Sequence, residues 1–436
     1  MAYKEYKGID YAAVCADVLE FWKKNQIFEK SITTRNGKPT FVFYEGPPSA
    51  NGTPGIHHVM ARTVKDIFCR YKTLKGFQVN RKAGWDTHGL PVELQVEKEL
   101  GITKEDIGTK ITVAEYNQKC REAVMRFTAQ WNELTEKIGF WLDLDNPYIT
   151  YENEYIESLW WLLSELHKKG LLYKGYTIQP YSPAAGTGLS SHELNLPGCY
   201  KEVKDLSLIA QFEVRKESAK KSVLNNFAAK PIYILAWTTT PWTLPSNAAL
   251  AVGEKIDYVL VETINQYSLQ PIQVVLAKDL VEKYFTEEAV DMSKFKSGNK
   301  LPHKVLTTCT GKDLVGLYYD QLMPYVQPEG DAFRVIAGDF VTTTDGTGIV
   351  HIAPTFGADD KRAAEAANIP AILVTDANGK KVPLVDKQGK FVAEVTDFAH
   401  KYVKNEYYAE AEMPEKSVDV EISILLKQQN KCFDSR

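Results

Sequence analysis

The sequence predicts an α/β protein: half of a parallel-sheet nucleotide fold, followed by an inserted β-rich module. Three observations carry this. Residues 40–109 alternate strand-like and helix-like patterns, as a parallel sheet with crossover helices requires. The apolar run Thr40–Tyr44 breaks into a Gly- and Pro-rich turn, Gly46–His58, that leads straight into a helix-like segment, Val59–Lys75. After about residue 200 the pattern changes to short β-rich runs at Leu208–Val214, Ile232–Trp237, Tyr258–Glu262 and Ile349–Ala353, separated by polar turns.

Taken in order, residues 1–39 read as an N-terminal extension, with a short helix over Ala12–Asn25 and a polar turn at Arg35-Asn36-Gly37. Residues 40–199 form the first half of the nucleotide domain. Within it a long helix is expected over Val113–Ile138, because Thr112 and Glu115 make a capping box and Gly139 stands where a terminating glycine would. A second helix is expected over Glu152–Lys169, buried through its Leu159-Trp160-Trp161-Leu162-Leu163 run. Residues 200–436 form the β-rich module. His192 and His303 read as surface residues.

Bulk properties add bounds. At about 150 residues per domain, 436 residues suggest two or three domains, and 44% hydrophobic with 25% charged residues is ordinary globular composition. The net charge of −4 leaves any nucleic acid to a local basic surface. The start MAYKEYKGIDYAAV has no apolar signal core and no run reaches a membrane-spanning length, so a cytoplasmic, non-membrane protein is expected. Six scattered cysteines without a CxxC pair read as reduced thiols.

The turn at Gly46–His58 has a clear chemical meaning. A strand, a glycine-rich turn and a helix N-terminus make an anion site, because unpaired backbone N–H groups and the helix dipole face the ligand. His57 and His58 at that terminus would meet phosphate oxygens as charge builds during displacement at phosphorus.

GPPSANGTPGIHH, together with GWDTHGLPVE at Gly84–Glu93, resembles the nucleotide-binding half of the class I aminoacyl-tRNA synthetases, and GWDTHGLPVE is similar to the isoleucyl family. The resemblance implies a Rossmann-like catalytic domain that uses ATP and Mg²⁺ to activate isoleucine and passes it to the isoleucine tRNA, working as a monomer. It implies that Gly46, Pro47, Asp86 and His88 bind isoleucine, with Asp86 on the α-ammonium, and that Gly55, His57 and His58 bind ATP. The family signature is His-x-Gly-His, and here Gly55 replaces the first histidine while His57 replaces the glycine. Two expectations stand open: His57 supplies the missing imidazole from a neighbouring position, or His58 acts alone.

Two further motifs resemble the editing domain of isoleucyl, valyl and leucyl synthetases: Ala236–Asn247 (AWTTTPWTLPSN) and Gly346–Pro354 (GTGIVHIAP), running on to Asp359-Asp360. Hydrolysing an aminoacyl ester needs a carboxylate for the α-ammonium, groups that position water, and donors to the oxyanion. The resemblance assigns the first to Asp360, with Thr238, Thr239, Thr240 and Asn247 as polar groups and His351 limiting the pocket's width. On an extended chain at most two of the three threonines face one pocket. Valine, one methylene short of isoleucine, is the substrate expected for removal.

Gln179–Thr187 occupies the place of a zinc half-site in some relatives, yet offers no ligand, so no zinc is expected there. Asp291-Met292-Ser293-Lys294-Phe295 only partly matches the Lys-Met-Ser-Lys-Ser loop and falls between the two editing motifs, so it reads as coincidence. With that loop, the second half of the sheet and an anticodon-binding domain not found, the resemblance covers the N-terminal part of a longer enzyme. The expectation is an unpaired sheet edge, no activation and surviving editing. The alternative class is a free-standing tRNA-editing deacylase.

Overall fold

The computed structural model describes residues 8, 10–286 and 300–436, so the Asp291–Phe295 string lies outside the described residues. The chain divides into two compact units, 1–175 and 176–436. The segment 176–199, assigned to the nucleotide domain by its sequence, groups with the second unit, where it forms a small hairpin pairing Tyr181–Ser182 with Thr187–Gly188.

Unit 1 opens with α1 (Tyr11–Lys24), whose N-cap Asp10 accepts the N–H groups of Ala12 and Ala13, and α2 (Ile27–Thr33). Strands β1 (Thr40–Tyr44), β2 (Gln78–Trp85) and β3 (Asp143–Ile149) form a parallel sheet in the order 1-2-3. Helices α3 (Ile56–Leu74) and α4 (Leu90–Leu100) follow β1 and β2, which puts two loops at the C-terminal edge of the sheet. In open parallel sheets that edge is where ligands bind.

The long helix expected over Val113–Ile138 is two helices, α5 (Val113–Val124) and α6 (Thr128–Lys137). The Thr112–Glu115 capping box is formed, and Gly139 stands at φ +68°. The break has a tertiary cause. The Phe127 N–H leaves the helical ladder to donate to the Ala50 carbonyl (3.0 Å), and the Trp131 indole N–H donates to the Gly52 carbonyl (2.8 Å). The helix interrupts itself to hold the Gly-rich turn.

The burial expected for Leu159–Leu163 is also corrected. Helix α7 (Asn153–Lys168) contains no buried residue, and Trp160 and Trp161 are 67% and 63% exposed. It meets the sheet at its first turn, where Tyr155 stacks on Tyr148 at 5.8 Å, and its following turns are exposed.

The register of β2 on β3 places Gly84 opposite Tyr148, and a Cβ on Gly84 would stand 2.3 Å from that ring. The Tyr148 hydroxyl in turn donates to the Glu45 carbonyl at 2.5 Å. Gly84→Ala should therefore cost about 1–3 kcal/mol through overpacking and loosen the end of β1. Urea denaturation checks this, and an unchanged midpoint would show that the ring gives way freely.

Unit 2 is built on a nine-stranded sheet: β4 (Leu208–Glu213), β5 (Ile232–Thr238), β6 (Ala249–Val252), β7 (Asp257–Ile264), β8 (Pro271–Ala277), β9 (Lys304–Thr310), β10 (Arg334–Ala337), β11 (Ile349–Ile352) and β12 (Cys432–Ser435). They run β9-β7-β8-β5-β11-β6-β10, with β4 also on β5 and β12 on β4. These strands supply most of one large core. Helices α8 (Ala358–Ala366) and α9 (Val418–Gln428) complete the elements that matter here. His303 is buried against Phe285 and not on the surface; its ring packs at 5.2 Å, a contact that its polar Pro-His-Lys setting conceals. His192 is exposed. Among the described residues no helix is long and apolar enough to cross a membrane.

Candidate functional sites

In unit 1 the Gly-rich turn joins β1 to α3 with Gly55 as the N-cap. His58, the third helical residue, accepts the Gly55 N–H on Nδ1 at 2.9 Å, much as a glutamate closes a capping box. Its proton therefore sits on Nε2, which is left to donate. The ring lies 3.8 Å from that of His57 and edge-on to Trp131 at 4.6 Å. Burial, then His57 and Arg62, push its pKa down, so His58 is neutral at pH 7. A Cβ on Gly55 would lie 2.9 Å from the His57 ring. The space a side chain at position 55 would enter is thus bordered by the His57 imidazole.

A cavity of about 430 Å³ opens beside these groups. Gly46 and His58 line it, together with Glu45, Arg62, Lys65 and Trp131, which the sequence does not single out. Pro47, Gly55, His57, Asp86 and His88 are not among its walls. Asp86 is nonetheless tied to the turn, since its N–H donates to the Pro48 carbonyl at 3.0 Å. His88 is exposed and held by Nδ1 to the Thr150 hydroxyl at 3.0 Å, and Thr150 also accepts the Thr87 N–H. Thr150 thus fixes the GWDTHG loop from the far end of β3.

In unit 2 a second cavity, of about 330 Å³, is walled by Trp237, Thr238, Thr239, Thr240, Phe340, His351 and Asp360, among others. The Thr238 and Thr240 hydroxyls are 3.3 Å apart, and Thr239 is exposed. Two glycines bring the opposite wall close. Gly346 and Gly348 both have positive φ, and added Cβ atoms would strike Trp237 (2.9 Å) and Ala277 (2.4 Å).

Asp360 stands in the first turn of α8, where its carboxylate accepts the Ala353 N–H at 2.8 Å. Gly357 makes room for it, because a Cβ there would meet the carboxyl carbon at 2.6 Å. Burial, and less so Asp359, raise the Asp360 pKa, so a cation beside it would be favoured. Asp359 is exposed and pairs with Arg362 at 3.1 Å.

The Thr243 hydroxyl has one proton, which it donates to the Thr240 carbonyl at 2.9 Å, so it accepts from His351 Nε2 at 3.1 Å. His351 Nδ1 is buried without a hydrogen-bond partner among the described residues. Burial lowers the His351 pKa to about 4. The neutral ring is favoured by folding, so its contribution is complete above the unfolded value near 6.5 and is lost as pH falls towards 4. We expect unit 2 to lose up to about 3 kcal/mol from this group over that window, and His351→Gln to flatten the pH dependence of its unfolding midpoint. Parallel wild-type and variant profiles would contradict this.

Asn247 is not brought to this cavity. Its amide donates to the Ala249 carbonyl (2.9 Å) and accepts from the Tyr319 hydroxyl (2.8 Å) in the core. The polar position in TLPSN is a structural junction there.

A sequence model of the family "tRNA synthetases class I (I, L, M and V)" matches residues 17–244. The chain is 64% identical over 99% of its length to the isoleucine–tRNA ligase of Cytophaga hutchinsonii, and 56% identical over 99% to that of Bacteroides fragilis. It spans 39% of each of those relatives. Among solved structures, the P. knowlesi cytosolic leucyl-tRNA synthetase editing domain has a TM-score of 0.35 at 14% identity, over 54% of this chain and 97% of that one.

Proposed function

Because the chain belongs to the class I tRNA synthetases of the isoleucine, leucine, methionine and valine group, we propose that it carries two sites of an isoleucine–tRNA ligase. Unit 1 would hold ATP and isoleucine for adenylate formation. Unit 2 would hydrolyse valine from mischarged tRNA. The observation that carries this reading is the pairing, in separate cavities, of Gly46 with His58 and of Thr238 and Thr240 with His351 and Asp360.

Activation requires the isoleucine carboxylate to attack the α-phosphorus of ATP and expel pyrophosphate. His58 offers a neutral Nε2–H donor, and the α3 N-terminus adds its unpaired N–H groups, both suited to growing negative charge on phosphate oxygens. His57 takes the role of the imidazole that position 55 lacks, a reading supported by its ring standing 2.9 Å from a Cβ built there. Asp86 binds the α-ammonium, with Gly46 and Pro47 flanking the side chain and His88 closing the loop. Mg²⁺ would travel with the nucleotide, neutralising its phosphates; no protein group is assigned to it. The terminal ribose hydroxyl of the isoleucine tRNA then takes the isoleucyl group from the adenylate as an ester and AMP leaves, in the cytoplasm.

For hydrolysis, Asp360 takes the α-ammonium, and the Thr238 and Thr240 hydroxyls, with Thr239 at the rim, orient water and the ester oxygen. His351, held by Thr243, forms an uncharged wall that sets the pocket's width. A second sieve is needed because one methylene is worth only about 1–3 kcal/mol in a hydrophobic pocket, a figure established on enzymes of this very kind. Titrating the chain with a non-hydrolysable isoleucyl-adenylate analogue tests unit 1. Saturable binding that weakens in His58→Ala is expected, and its absence in a folded sample would overturn the assignment.

A further inference from the structure

The cavity of unit 1 has a charged wall that the histidines do not explain. Glu45, the residue between β1 and Gly46, is 2% exposed. Its Oε1 accepts from Lys65 Nζ at 2.7 Å and lies 4.0 Å from Arg62 Nε. Its Oε2 is buried and has no hydrogen-bond partner among the described residues. A buried carboxylate left half-satisfied is costly and persists where its position serves something else.

The two cations differ in what they have left to offer. Arg62 is fixed in place: one Nη donates to the Thr135 hydroxyl at 2.7 Å, and the guanidinium lies over the Trp131 ring at 4.8 Å. Lys65 is about one-third exposed and uses one of its three protons, on Glu45. Its Nζ stands 3.7 Å from where a Cβ on Gly46 would be, over the backbone that faces the cavity. Two cations against one carboxylate leave this wall one positive charge in excess. The nearby Asp66 does not cancel it, being paired with Arg70 and with Arg81 at 3.0 Å.

We infer that Lys65, held over Gly46 by Glu45, binds the anionic oxygen at the point of attack in the activation step proposed above. Carboxylate and phosphate repel as they approach, and a fixed ammonium beside Gly46 offsets that repulsion. Glu45 is a positioning residue: it aims the lysine and keeps it from sampling solvent. The shared chemistry is an anionic oxygen, from either the amino acid carboxylate or the nucleotide α-phosphate.

Calorimetric titration of the chain with isoleucine, isoleucinol, AMP and adenosine separates the sources. If the carboxylate is the partner, Lys65→Met weakens isoleucine roughly 10- to 100-fold and leaves isoleucinol unchanged. If the phosphate is the partner, AMP weakens by that factor and adenosine does not. Lys65→Arg should restore part of the loss. Glu45→Gln should lower the same affinity by a smaller factor, and because it leaves the lysine in place it separates aiming from charge. Lys65→Met binding all four ligands like the wild type would overturn the inference while leaving the activation site standing. A wild-type chain that binds none of them would overturn both.

Discussion

Replacing Asp360 with alanine should abolish hydrolysis of valyl-tRNA, lowering the rate at least about 100-fold. The carboxylate would hold the substrate's only cation in a half-buried position, where a charge-assisted hydrogen bond contributes about 1.5–3 kcal/mol. Loss of that anchor would also let the ester miss a water positioned by Thr238 and Thr240, and misplacement carries its own penalty. Asp360→Asn separates the two effects. The amide oxygen still accepts the Ala353 N–H that fixes the start of α8, but it no longer attracts an ammonium. Asn should therefore match Ala in rate while matching the wild type in stability. If Asn retained most of the activity, the α-ammonium would be bound elsewhere. The raised pKa adds a direction: on acidification the free site loses its charge earlier than an ordinary aspartate, so the apparent affinity for aminoacyl substrate should fall with it.

The second large effect belongs to the histidines of α3. In a chain extended to its relatives' length, His58→Ala should slow isoleucine-dependent pyrophosphate exchange by roughly 10²–10³-fold, the usual consequence of removing one donor to a developing anion. His57→Ala should cost a comparable factor if its ring replaces the imidazole absent at position 55. The double change Gly55→His with His57→Gly restores the order usual in the family, and recovery of activity in it would establish that the two positions share one role. The single change Gly55→His should be worse than either, because its side chain meets the His57 ring at contact distance. If His57→Ala retains full exchange, His58 acts alone.

What the sequence made legible follows from how each residue is held. The Gly46–His58 turn, the Thr238–Thr240 run and the Gly346–Asp360 segment are local: glycines, a cap and a short helix start fix their shape within each segment. The parallel β1–α3–β2 unit was readable for the same reason, as were the ends of β5 and β11. Glu45, Lys65 and Arg62 were not, because a glutamate after a strand and two basic residues in an amphipathic helix look like ordinary surface. Only the approach of α3 to the end of β1 makes them a wall. Trp131 and Thr150 are similar cases, each reaching a loop dozens of residues away. Val113–Ile138 read as one helix since nothing local announces that the Phe127 N–H will be taken by Ala50. Asn247 misled in the opposite sense: its motif is at the site, but its side chain turns into the core towards Tyr319. Leu159–Leu163 read as core by composition, which carries no information about whether a neighbour covers the helix.

The most direct measurement is the time course of valyl-tRNA and isoleucyl-tRNA hydrolysis by this chain, each made with the isoleucine tRNA. The proposed division of tasks predicts that valine is released and isoleucine spared, with His351 excluding the extra methylene. Equal loss of both esters, or no loss of either from a folded sample, would contradict the assignment of unit 2 as a valine-removing site.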